Sequence, residues 1–385
     1  MKLRSILLSA LALLAVSCVY PFEAETQDGS GTLVIEGDIL IGEITEVKLS
    51  YTAPIPGGLT DPVYASRVWV EDNAGGVYEG SQSFTVLDRF EVDTRDADPA
   101  REYRLHVMVR GSREYVSSWG PVNTAPVIDS LSFIKDPEKS RLNIALSMHS
   151  KAGSFFKWSY VEDWEYRAKY YASVKYVPPT YYHSWSIGEI VPMNYPENTY
   201  WCYKHDVSSE ILTFSTEKQT DDRFVDLEFH KIPRDDDRIS YIYRIKVNLE
   251  PLSKDAYVYW DNLKVNSEYN GNLFAPTPSE MVGNIRCVQD PDELVMGYIS
   301  VAQRTSKTLY VYSEQHGFYK DSEHYEDPVT IGTGEWSSYL KKGFLPYQCV
   351  IPGDYSQTIW APQRCVDCRT RGGTRTVPDD WPTNH

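Results

Sequence analysis

Close to its C-terminus the chain carries RCVDCRTRGGTRTVPDDW, where Cys365 and Cys368 stand in a C-x-x-C spacing ahead of a basic, glycine-containing run. Such a pair can clamp zinc, cycle between thiol and disulfide, or staple the chain, and each role demands different companions. Structural zinc takes four nitrogen or sulfur ligands, yet only Cys349 stands near the pair in sequence. A thioredoxin-like pair opens a helix that follows a strand, whereas Arg369, Arg371, Gly372 and Gly373 make a poor helix. The eight histidines (His106, His149, His183, His205, His230, His316, His324 and His385) include none at H-x-H or H-E-x-x-H spacing. No G-x-S-x-G elbow, phosphate loop or dinucleotide fingerprint occurs. The acid clusters Asp235-Asp236-Asp237 and Asp290-Pro291-Asp292-Glu293 lack the alternating ligands of a calcium loop and read as solvated turns. Glycosidase carboxylates can lie anywhere along a chain, so no catalytic residue, metal site or cofactor is assigned.

Which role the cysteines take depends on compartment, and the N-terminus addresses that. MKLRSILLSALALLAVSC places Lys2 and Arg4 before an apolar run from Ile6 to Val16 and a small residue, Ser17, before Cys18. That is the three-part layout of a secretory signal over residues 1–17. The run is too short for a membrane-spanning helix, which needs about 20 apolar residues. Residues 18–31, from Cys18 through VYPFEAETQDGSG, read as a tether with Glu23, Glu25 and Asp28. An exported chain meets oxidising conditions, which favours disulfides. Cys202, Cys287, Cys349, Cys365 and Cys368 are the candidates, and five cannot all pair within one chain. The expectation is a bond from Cys349 to Cys365 or Cys368; the shorter choice encloses fifteen residues, a loop whose closure contributes about 3 kcal/mol.

The formal charge is −16, and loss of Lys2 and Arg4 with the signal makes it −18. Nucleic acid and anionic membrane surfaces ask for basic patches, so nucleic-acid binding is excluded. Aromatic residues make up 13% of the chain, 29 of them tyrosine, and suit pleated, half-buried surfaces. The fold expected is mainly β. Residues 32–123 read as an immunoglobulin- or fibronectin-like sandwich: VKLSY sets Val47, Leu49 and Tyr51 on one face, and EYRLHVMVRG alternates Tyr103, Leu105, Val107 and Val109 with Arg104, His106 and Met108.

Residues 124–345 read as a larger β-rich domain. Sixteen aromatic residues lie between Phe155 and Tyr203. Phe156, Trp158, Tyr160, Glu162, Trp164 and Tyr166 alternate with Lys157, Ser159, Val161, Asp163, Glu165 and Arg167, one strand with an aromatic face. That face is either a stacking platform for planar ligands or the buried side of a sheet packed on another. In the looser VPPTYYHSWSIGEI, Tyr181, Tyr182 and Trp185 are the candidate ligand-facing aromatics. RISYIYRIKVNLE is a further strand. One helix is expected near 253–269, with Ser253 as N-cap, Ala256, Tyr259, Trp260 and Leu263 at helical spacing, and Asn270-Gly271 as the stop. Residues 346–385 form a Cys-containing C-terminal extension.

The stretches SCVYPFEAE, LVIEGDI, AYVYWDNLKVNSEYNGNLFAPTPSEMVGNIRCVQDPDELVMGYISV and RCVDCRTRGGTRTVPDDW together resemble the Bacteroidota outer-membrane lipoprotein family catalogued as domain of unknown function 4249. Cys18 after A-V-S also resembles a lipobox, which implies acylation of Cys18 and anchoring in the outer membrane, on the cell-surface or the periplasmic face. The family resemblance implies an accessory or ligand-capturing role beside a TonB-dependent receptor in nutrient uptake. It carries no catalytic residues. The alternatives are a cell-surface hydrolase and a glycan-binding adhesin, with a glycan or peptide as the ligand.

Overall fold

The computed structural model describes residues 31–52, 63–83, 86, 88–109, 113–180, 187–194, 197–218, 223–268, 283–318 and 327–382. Cys18 and the aromatic candidates Tyr181, Tyr182 and Trp185 lie outside them. Among the described residues no helix is long and apolar enough to cross a membrane.

Alternation of apolar and polar residues builds the first layer pair. Leu33–Glu36, Ile44–Tyr51 and Arg89–Asp93 form one sheet, and Ala65–Asp72, Glu102–Val109 and Arg113–Ser117 form the other. Val77–Gln82 pairs with both and makes the corner. Ile35, Val47, Leu49, Phe90 and Val92 meet Val68, Val70, Tyr103, Leu105 and Val107 in one core, each buried side chain contributing roughly 1.5–3 kcal/mol. Tyr103 Oη donates to the Asp98 carbonyl five residues upstream at 2.7 Å, the corner tie of immunoglobulin-like sandwiches. The sandwich also takes in chain from far beyond residue 123. Ile285–Cys287 adds to Arg113–Ser117, and Val295–Met296 adds parallel to Leu33–Glu36. Val301–Gln303 runs between Ile39–Leu40 and Asn123–Thr124.

The larger body is a second face-to-face pair. Ile128–Asp136, Arg141–His149 and Arg223–Pro233 make one antiparallel sheet. Phe155–Arg167 lies in the middle of the other, between Ile242–Leu252 on one side and Trp201–Val207 with Leu212–Ser215 on the opposite side; Thr305–Tyr312 extends it. Phe156, Trp158, Tyr160, Trp164 and Tyr166 are buried with Tyr243, Ile245, Val247 and Leu249 against Leu142, Ile144, Leu146 and Met148. The aromatic face is therefore core, and the strand's other face is polar.

The helix Lys254–Glu268 starts where Ser253 Oγ accepts from Ala256 N–H at 3.1 Å, an N-cap bond that satisfies one of the helix's first amides. Beyond it Val329–Gly332, Phe344–Ile351 and Asp354–Pro362 form a small sheet. Its core of Ile331, Trp336, Phe344 and Trp360 packs on Val174 and Ile190. Half of the expected C-terminal extension thus belongs to this sheet, and the tail proper begins at the short helix Gln363–Val366.

The cysteine pairing differs from the expectation. Cys368 bonds Cys202, 166 residues away, and Cys349 is a buried thiol, as is Cys287. Cys349 lies inside the small sheet, packed in the Trp336 and Trp360 core, whereas Cys368 stands at the edge of the large sheet, among the residues around Tyr166. Cys365 is buried beside Ala172, Ala361 and Val366.

Candidate functional site

Because side chains alternate along each strand and the register is continuous, the polar face of the large sheet is laid out in rows. One row runs His205, Asp163, Arg244, Tyr310 across four strands. The next runs Val207, Val161, Lys246, Thr308. Neighbouring strands stand about 4.8 Å apart and rows about 7 Å apart, so these groups face one small area.

The C-terminal tail folds over that area. Cys368–Arg371 is one 3-10 turn, its start capped by the Asp367 carboxylate and its end by Gly372 in the left-handed region at φ 83°. Gly373 then crosses Tyr166, where a Cβ would collide with the phenol oxygen. Thr374 pairs with Tyr203 in both directions, N–H to carbonyl at 2.7 and 2.9 Å, adding a rung to the sheet edge. Trp381 closes the tail: its Nε1 donates to Glu165 Oε2 at 2.8 Å and its ring packs edge-on against Tyr203 and Tyr310. Between tail and sheet lies a cleft of about 660 Å³.

Within it Asp163 is buried and fully engaged. Its Oδ1 faces His205 Nδ1 at 2.9 Å, and its Oδ2 accepts from Arg244 Nε at 3.1 Å and Nη2 at 2.8 Å. Burial works against the Arg244 charge, but hydrogen bonding with Tyr310 and Asp163 outweighs it and raises the guanidinium above its ordinary value. Arg244 Nη1 donates to the Asp379 carbonyl, and Tyr310 Oη donates to the Asp380 carbonyl at 3.2 Å. His205 Nε2 and Lys246 are left facing the opening, with His205 61% exposed.

A second polar cluster sits at the other end of the same strand. Lys157 is buried between Asp38 of the sandwich and Glu250 of the neighbouring strand, the latter at 3.1 Å, and lies 4.5 Å from the Trp260 ring centre. Asp38 Oδ1 accepts from Ser300 N–H at 2.9 Å, and Arg304 grips Glu43. Burial works against the Lys157 charge, but the two carboxylates overcome it and raise the ammonium above its ordinary value; burial raises the Glu250 carboxyl as well. This network joins the two bodies beside a cleft of about 570 Å³.

Two arginines of the C-terminal motif are paired within the fold. Arg369 bonds Asp367, and Arg371 lies 3.4 Å from Asp237 and over the Tyr166 ring. Asp236 caps the turn that begins at Asp237, and Glu293 pairs with Arg113 and Tyr115. Among the described residues no group of three or more metal-ligating side chains is present.

A family profile described as domain of unknown function (DUF4249) matches residues 19–308. No curated protein matches the chain. Among solved structures, a DUF4785 family protein from Legionella pneumophila aligns at 10% identity over 58% of this chain and 51% of that one, about half its length, with a TM-score of 0.18.

Proposed function

We propose that this chain, which belongs to the family described as domain of unknown function DUF4249, is a lipid-anchored outer-membrane binding protein that captures a ligand beside a TonB-dependent receptor. The anchor would be Cys18, on the lipobox pattern of MKLRSILLSALALLAVSC; several acyl chains make such anchoring stable, where one is marginal. The observation that carries the capture reading is the cleft beneath the C-terminal tail. It is concave, mixes charged and polar side chains with apolar lining from Val161, Tyr203, Val377 and Pro378, and is built on a sheet whose opposite face is core, a form suited to holding a small ligand. Receptor partnership rests on the family resemblance.

A second reading has one specific observation in its favour. The buried Asp163 holds His205 by Nδ1 and leaves Nε2 exposed, the orientation of a general base in a hydrolase. The two readings separate when the purified mature protein is incubated with a panel of glycans and short peptides. Saturable binding without product supports capture. Product formation that disappears in His205→Gln overturns it in favour of a hydrolase.

A further inference from the structure

We infer that the cleft beneath the tail takes an oxyanion, the carboxylate or phosphate of a small acidic molecule. The inference rests on the reading of that cleft as the ligand site. Asp163 is the buried acid of the floor, and both its oxygens are engaged by His205 and Arg244. Lys246 stands one row further along the same strand face as Arg244, exposed, and among the described residues it makes no ion pair. Beside it Thr308 offers a hydroxyl, and His205 presents Nε2 from the neighbouring row. A ligand oxygen placed over Lys246 would thus meet an ammonium and a hydroxyl, while His205, two strands and one row away, borders the same cleft and reports on its occupancy. The acids of the roof, Asp379 and Asp380, stand on the tail and give their backbone carbonyls to Arg244 and Tyr310. The sheet lines the cleft with Lys204, Arg244 and Lys246 against the single acid Asp163, so the floor is cationic, and the roof acids face it from the tail. On a chain of net charge −16, such a floor selects its ligand, because the rest of the acidic surface repels anions.

The test is NMR of the His205 ring in the full mature chain, its signal assigned with His205→Gln, during titration with inorganic phosphate, with acetate, and with glucose as uncharged control. The expected result is a saturable shift with an anion and none with glucose. Phosphate alone acting points to a phosphate ester; acetate alone acting points to a carboxylate. Lys246→Gln, an exposed change that leaves the fold intact, should weaken anion binding about tenfold or more, the loss of one charge-assisted hydrogen bond. Unchanged affinity in Lys246→Gln overturns the inference. If glucose or a longer glycan moves the ring and anions do not, the cleft remains the ligand site and the anion class is wrong. If none of these moves it, both readings fall.

Discussion

Asp163 and His205 face each other across two antiparallel strands, Oδ1 to Nδ1 at 2.9 Å, the acid buried and the imidazole exposed. The contact ties a buried carboxylate to an exposed imidazole on the polar face of the sheet, at the mouth of the tail cleft. It also depends on the tail, because the same row is held down by Arg244 and Tyr310 on the carbonyls of Asp379 and Asp380.

The tail is tied by Cys202–Cys368. A bond enclosing a loop of that length removes chain entropy worth about 5 kcal/mol from the unfolded state. Non-reducing peptide mapping should recover Cys202 and Cys368 in one linked peptide, and Cys202→Ser should lower the urea midpoint accordingly. A Cys349–Cys368 linkage would contradict the fold at its C-terminal edge.

Trp381 closes the tail over the sheet. Trp381→Ala removes a buried indole, a change of about 3–5 kcal/mol in a packed core, and takes away a donor to Glu165. Amide exchange at Tyr203 and Thr374, which bond one another, should accelerate strongly while the sandwich core is unaffected. Equal protection in the variant would mean that the tail does not depend on its indole.

Lys157 separates two carboxylates at the junction of the two bodies. Lys157→Met takes the shared cation from Asp38 and Glu250, leaving Glu250 only the more distant Arg304 at 3.9 Å, which costs about 3–5 kcal/mol. The triple variant with Asp38→Asn and Glu250→Gln should regain most of it, as read by urea denaturation. A loss in Lys157→Met below about 1 kcal/mol, the range of exposed pairs, would refute the buried-network assignment.

Acid sensitivity has an identifiable source inside the large body. Burial by itself raises the Glu162 carboxyl, but hydrogen bonds from His230 and Tyr243 and the charges of His230 and Arg238 outweigh it and hold it below its ordinary value of 4.5. The native state then binds fewer protons than the unfolded state, so this group stabilises the fold above that ordinary value. The contribution is lost as pH falls through the lowered native value. Glu162→Gln should be less stable than the parent at pH 7, and the gap should narrow as pH falls below 4.5. A gap that stays constant with pH would show that Glu162 is not the group responsible.

Much of this was readable along the chain wherever local period carried the information. The strand Phe155–Arg167 announced two faces, and the face carrying Lys157, Asp163 and Glu165 was unusually charged for a strand whose other side is aromatic. That charge was the one local signal for the cleft. Ser253 and the spacing of Ala256 and Tyr259 likewise placed the helix. The row His205, Asp163, Arg244, Tyr310 could not be read, because only the register of four strands brings it together. The short strands Ile285–Cys287, Val295–Met296 and Val301–Gln303 have two or three residues each, too few to show a period. Cysteine connectivity is not contained in spacing, and nearness in sequence favoured Cys349 over the true partner, Cys202.

The central claim is capture beside a receptor. It is tested most directly by tagging the full-length protein, solubilising outer membranes in mild detergent and identifying what co-purifies. The account predicts one TonB-dependent receptor in near-stoichiometric yield; with Cys18 changed to Ser the protein leaves the membrane fraction and the receptor stays behind, no longer recovered with it. Recovery of the protein alone, with turnover of a glycan or peptide, would contradict it.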